Sequence, residues 1–230
     1  MPGSPPELRI VDDPAAAVGE VLAEQARRGG SIVLTGGSAP AQAYAHAAEL
    51  TPDWGAVTVW WGDDRCVPPD DPRSNYLLAK ETLLDRLETQ PQAVHRIRGE
   101  LDPVEAAAEL DSALDNAALA GATLDFMLLG LGPDGHMASL FPGSPQLAVR
   151  DRRATSGPAG LEPWVDRVTM TLPTILAAQR IVFLVLGAGK ADAVARSFGG
   201  EISDAVPASL SRLAPVRVEV YLDEAAAASL

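Results

Sequence analysis

Cysteine is almost missing from this chain. The single one, Cys66, reads as a small buried filler; it cannot close an intramolecular disulfide, and no cysteine-based metal site can be built on it. Long apolar runs are missing too: the longest, Ile181–Leu186, is far too short to span a bilayer. Positive charge is scarce. Lys and Arg number 18 against 31 Asp and Glu, and the resulting net charge of −13 repels nucleic acid and anionic membrane. An anionic small molecule fits that balance only where basic residues converge on one pocket. Histidine is sparse, with His46, His95 and His136 far apart and without ligand spacing, so neither a metal nor any other cofactor is expected. The stretch Met1–Asp13 is rich in proline and acid and lacks the basic segment and apolar core of a signal peptide, so a cytoplasmic location is expected.

What is present is the ordinary globular balance, 47% hydrophobic and 21% charged, in a length of 230 residues that suits one α/β domain over residues 1–230. Short runs of β-branched and aromatic residues between glycines predict buried strands at Ser31–Thr35, Val57–Trp61, Asp125–Leu131, Ile181–Leu186 and Val216–Leu222. Between them, Pro14–Arg28, Pro40–Leu50, Ser74–Leu87, Pro103–Ala120 and Lys190–Phe198 carry helical spacing, several with Pro in the first turn or a Ser or Asp cap. The polar, Gly/Pro-bearing stretch Arg150–Glu162 reads as a surface loop. Alternating strands and helices predict an α/β fold with a mainly parallel, doubly wound sheet covered on both faces. In such sheets ligands bind beyond the carboxyl ends of the strands, so the residues after each strand are the place to look.

Thr35-Gly36-Gly37-Ser38-Ala39-Pro40 follows the first strand and opens a helix whose free N–H groups suit a phosphate; the simpler reading is a tight turn capped by Ser38. Gly62-Asp63-Asp64-Arg65 follows the second strand, with Arg73-Ser74-Asn75 opening the next helix; a solvated charged turn is its simpler reading. Gly130 through Pro142 follows the third and holds His136 in a glycine-rich loop. Imidazole is the natural base near neutral pH, whereas His46 falls inside a helix and His95 in a polar connection. Gly187-Ala188-Gly189-Lys190 follows the fourth and places a lysine at a helix start, and Arg167 precedes an alternating stretch; a solvent-facing lysine and a surface ion pair are the competing readings.

Taken in order, these blocks resemble one family, the 6-phosphogluconolactonases. The matching segments are Leu34–Pro40, Trp61–Val67 with Ser74-Asn75, Asp125–Pro142 with its Asp-Gly-His-x-Ala-Ser-Leu-Phe-Pro run, Arg167–Thr171 and Gly187–Lys190, between about Ser31 and Val194. The resemblance implies a modified doubly wound fold like that of the sugar-phosphate isomerases and deaminases. It also implies hydrolysis of 6-phospho-D-glucono-1,5-lactone to 6-phosphogluconate, in the oxidative pentose phosphate pathway. The family usually has Asp-Glu-Arg where this chain has Asp63-Asp64-Arg65, so the roles of Asp64, Arg73, Ser74 and Asn75 are left open.

On this reading His136 activates a water, Asp63 orients the imidazole or the water, and Arg65 faces the developing oxyanion. Thr35, Gly36, Gly37 and Ser38 form the phosphate cradle with Arg167 and Lys190. Two other readings compete. An amino-sugar phosphate deaminase would, by family resemblance, want an acid five positions beyond the histidine, where this chain has Phe141. A sugar-phosphate sensor would lack the base and carry an effector module.

Overall fold

The structure is a computed structural model that describes residues 5–230; Met1–Ser4 of the proline-rich N-terminal stretch lie outside the described residues. Strands are β1 (Glu7–Ile10), β2 (Gly30–Leu34), β3 (Val57–Trp61), β4 (Asp63–Arg65), β5 (Ala93–His95), β6 (Phe126–Leu129), β7 (Ala154–Gly157), β8 (Arg167–Met170), β9 (Ile181–Val185) and β10 (Val218–Leu222). Helices are α1 (Pro14–Arg28), α2 (Ser38–Leu50), α3 (Asn75–Thr82), α4 (Pro103–Leu119), α5 (Leu172–Leu176) and α6 (Ala191–Val194). None of the described helices is long and apolar enough to cross a membrane.

Seven strands form one parallel sheet in the order β1-β10-β9-β6-β2-β3-β5. β6 and β9 are buried along their whole length, which requires cover on both faces. From β2 the chain steps outward through β3 and β5, then returns to β6 and runs the other way through β9 and β10. The winding therefore reverses between β2 and β6, where open α/β sheets leave a crevice. Trp54, Trp60, Trp61 and Tyr44 are the largest fully buried side chains of the core beneath it. A second, antiparallel sheet, β4-β8-β7, lies at that edge.

The apolar runs fold as the sequence predicts, and the caps follow: Asp13 accepts from Ala16 N ahead of Pro14, and Asp102 accepts from Val104 N ahead of Pro103. Some expectations need correction. Ser38 is not the cap of α2; Gly37, at φ 116°, takes that position and Ser38 is the first helical residue. The predicted helix Ser74–Leu87 breaks after Thr82 into a short 3-10 turn, Leu84–Arg86. Lys190–Phe198 becomes α6 followed by a π turn over Ala195–Gly199. Arg150–Glu162 is not all loop: β7 lies inside it, a polar edge strand that gives no apolar alternation to read. His95 is in β5, stacked on Trp60 at 4.0 Å, rather than in a polar connection. Cys66 is only partly buried.

Candidate active site

A cavity of about 310 Å³ opens at the winding reversal. His136, Asp63, Arg65, Arg167, Lys190 and the turn Thr35–Gly37 all line it. Ser38 does not; it lines a smaller neighbouring hollow.

His136 is held by a contact on one ring nitrogen. Its Nδ1 lies 2.6 Å from Asp134 Oδ1, which also accepts from the His136 backbone N–H. With Nδ1 carrying the proton toward a carboxylate, Nε2 keeps its lone pair, the arrangement a general base needs. Burial pushes the Asp134 carboxyl up, but its hydrogen bonds and charge interaction with His136 outweigh that and keep it below the ordinary value. The carboxylate within hydrogen-bond distance of the imidazole is that of Asp134. Gly132 makes room for the ring: a Cβ there would stand 2.0 Å from His136 Nδ1. On another side the ring packs against Phe141, centroid to centroid 4.5 Å.

Asp63, only 6% exposed, accepts from Ser139 Oγ at 2.6 Å. Ser139 N in turn donates to Thr169 Oγ1 on β8. Its neighbour Asp64 has a different task. Its carboxylate accepts from Ser74 Oγ and from the backbone N–H groups of Arg65, Asn75 and Tyr76. It thus fastens the start of α3 to β4, while Ser74 caps the helix itself. Burial is the stronger influence on Asp64 and pushes its pKa up to about 6, against those backbone donors. Asn75 then positions Arg65: Asn75 Oδ1 accepts from Arg65 Nη1 at 2.7 Å, and Asn75 Nδ2 donates to the Asp63 carbonyl at 2.9 Å. The Arg73 carbonyl takes a second bond from Arg65 Nη1. Gly36 permits this, because a Cβ there would fall 1.9 Å from Asn75 Oδ1.

Positive charge converges here despite the acidic whole. Arg65 and Arg167 are register partners across β4 and β8. Like charges directly opposite repel. Arg167 is only 4% exposed, and burial, with Arg65 nearby, lowers its pKa. Among the described residues, neither Nε has a hydrogen-bond partner. A buried guanidinium and a partly buried one lining the same cavity are groups whose chemistry suits an anion. Lys190, its pKa lowered by burial, adds a third cation, although its Nζ also donates to the Leu131 carbonyl at 2.6 Å.

Sequence reasoning missed several participants. Asp134 was visible as a flanking residue of the Asp-Gly-His run, two positions from the base, but only geometry gives it a role. Tyr44 braces the Thr35 turn, its hydroxyl accepting from Thr35 N and donating to Thr35 O, and gave no signal inside an ordinary helix. Leu161 and Glu162, at the end of the supposed surface loop, line the cavity rim. Arg167 Nη2 donates to the Pro163 carbonyl of that segment at 3.1 Å. Trp164, next in the chain, is 68% exposed.

Comparison with known proteins identifies the family. Residues 9–220 match the family described as glucosamine-6-phosphate isomerases/6-phosphogluconolactonase. A 6-phosphogluconolactonase of Streptomyces coelicolor is 34% identical, covering 97% of this chain and 91% of its own length. One from Mycobacterium tuberculosis is 37% identical, covering 84% and 82%. Among solved structures, a 6-phosphogluconolactonase from Trypanosoma cruzi superposes with a TM-score of 0.84 at 27% identity, covering 100% of this chain and 98% of that one. A monomeric glucosamine-6-phosphate deaminase, at 22% identity and a TM-score of 0.84, shares the fold alone. The chain belongs to the glucosamine-6-phosphate isomerase/6-phosphogluconolactonase family, as an enzyme of its 6-phosphogluconolactonase branch.

Proposed function

We propose that this chain hydrolyses 6-phospho-D-glucono-1,5-lactone to 6-phospho-D-gluconate, as a metal-independent, cytoplasmic step of the oxidative pentose phosphate pathway, with His136 as general base and residues 1–230 acting as one α/β unit. The observation that carries the reading is the pairing of His136 Nδ1 with Asp134 at 2.6 Å beside a cavity lined by Arg65, Arg167 and Lys190. Nε2 takes a proton from water as its oxygen attacks the lactone carbonyl, and the imidazolium returns a proton to the departing ring oxygen. Asp134 stabilises the imidazolium in between. The Asp63 carboxylate, anchored on Ser139, is free to hold the water. Arg65, fixed by Asn75, meets the oxyanion, and Arg167, Lys190 and the Thr35–Gly37 backbone meet the phosphate. No nucleic acid partner suits this field, and the chain's charge of −13 leaves the cavity as the place for an anion.

The side chain packed on His136 favours hydrolysis over isomerisation. Phe141 neither accepts a proton nor orients an amine, whereas a deaminase must move protons between neighbouring carbons. The deciding experiment offers purified chain the lactone, corrected for spontaneous hydrolysis, and glucosamine 6-phosphate in parallel. Rapid lactone opening without ammonia release is expected. Ammonia release abolished by His136→Asn would reverse the assignment.

A further inference from the structure

The loop that carries the base has no idle carbonyl between Leu131 and His136. Lys190 Nζ takes Leu131 O, Gly135 N takes Gly132 O, Ala208 N takes Gly135 O and Gly132 N takes His136 O. The two carbonyls left, those of Pro133 and Asp134, go to one side chain. Arg196 Nη2 donates to Pro133 O at 2.9 Å and Arg196 Nη1 to Asp134 O at 3.4 Å. Pro133 has no N–H and cannot anchor itself by donation. Two neighbouring carbonyls presented together suit the rigid fork of a guanidinium far better than a single ammonium.

Arg196 is set for this by its helix. After α6 the chain widens into a π turn, closed by Gly200 N on Ala195 O at 2.9 Å. Such turns break regular helical spacing and recur at functional sites. Asp192, one turn earlier, stands 3.4 Å from Arg196 Nε. Arg196 is not among the residues lining the cavity, so it touches no substrate and acts through the loop.

We propose that Arg196 is a positioning residue for the base: its fork fixes the Pro133–Asp134 backbone, which holds the Asp134 carboxylate against His136 Nδ1 and aims Nε2 into the cavity. This rests on His136 being the base of the proposed hydrolysis. Reacting groups misplaced by about 1 Å lose as much as a hundredfold in rate, so a clamp on the loop acts on turnover more than on binding.

The test uses the full chain with Arg196→Ala and Arg196→Lys, and Arg212→Ala as control. Arg212 grips carbonyls in the same way, those of Gly200 at 2.7 Å and Ser197 at 3.4 Å, but not those of the base loop. Lactonase kinetics are read beside NMR titration and tautomer signals of the His46, His95 and His136 rings. In Arg196→Ala, kcat should fall about tenfold or more with KM within about twofold, and Arg196→Lys should recover part of it. The His136 titration and tautomer balance should change while those of His46 and His95 stay. Arg212→Ala should keep kcat within about twofold. Should Arg196→Ala not fold, Arg196→Gln, which keeps a stem and donors but loses the fork, is read identically. Unchanged kcat, an unchanged His136 ring, or an equal kcat loss in Arg212→Ala would overturn the proposal. A parent chain inactive on the lactone would refute the hydrolase reading, while the ring signals would still decide the clamp.

Discussion

The two sheets make opposite contributions to one cavity. The seven-stranded sheet is built from residues selected for burial, and beyond its carboxyl edge it offers the backbone turn after β2, the His136 imidazole on the loop after β6 and the Lys190 ammonium after β9. The three-stranded sheet offers charge, with Asp63 and Arg65 on β4 and Arg167 on β8. Strand alternation explains how so small a sheet manages this. On β8, Val168 and Met170 belong to the hydrophobic core, while Arg167 lines the cavity and Thr169 braces Ser139. The large sheet supplies an imidazole and one cation on its loops, and the small one supplies a carboxylate beside two guanidiniums that set the local field. β8, which bears Arg167, is anchored in the core through Val168 and Met170, and β4, which bears Arg65, is paired to it.

The largest effect is expected on the large sheet's side, in the loop after β6. His136→Asn should fold normally and lose roughly 10²–10⁴-fold in kcat for the lactone, measured above the spontaneous rate. A near-normal kcat in a folded variant would remove the base from the loop after β6.

A smaller effect is expected where the field is tested. Arg167→Ala and Lys190→Ala should each weaken 6-phosphogluconate binding by about 1.5–3 kcal/mol, roughly ten- to a hundredfold in Kd by calorimetry. Affinity for unphosphorylated gluconolactone should move far less. Equal losses for both ligands would put the phosphate elsewhere.

The anchorage of α3 to β4 through Asp64 gives the smallest effect. Asp64→Asn removes acceptors from the start of α3 and should cost about 1–3 kcal/mol. The size depends on pH. A carboxyl raised to about 6 from 3.8 binds its proton more tightly in the folded chain, so its contribution is complete below about 3.8 and is lost as pH rises through about 6. The Tm gap between parent and variant should therefore narrow from pH 4 to pH 7. A gap that widens over that window would mean the carboxylate is the better-held form.

The same division sets what was legible in the sequence. Ile181–Val185 and Val57–Trp61 announce themselves because burial on both faces demands continuous apolar runs. Asp63–Arg65 and Ala154–Gly157 do not, since three or four polar residues look like a turn until a partner strand is known. His136 was readable from the glycines around it. Its partner Asp134 is indistinct in the sequence, because a carboxylate two positions from a histidine meets it only if the loop turns back. Arg65 could be picked out as a charge at a strand end, yet the residue that aims it, Asn75, comes from another element through a gap that Gly36 leaves open. Resemblance to a family points to positions; the close approaches show which of them meet.

Trp164 has an optical consequence. Trp54, Trp60 and Trp61 are fully sealed in the core, so their emission is blue-shifted and shielded from aqueous quenchers. Trp164 alone of the four tryptophans emits from a wet environment, and it sits on the segment whose neighbouring residues Leu161 and Glu162 form the cavity rim. The red edge of this protein's fluorescence is therefore a native, single-site reporter on the mouth of the site, readable without a label.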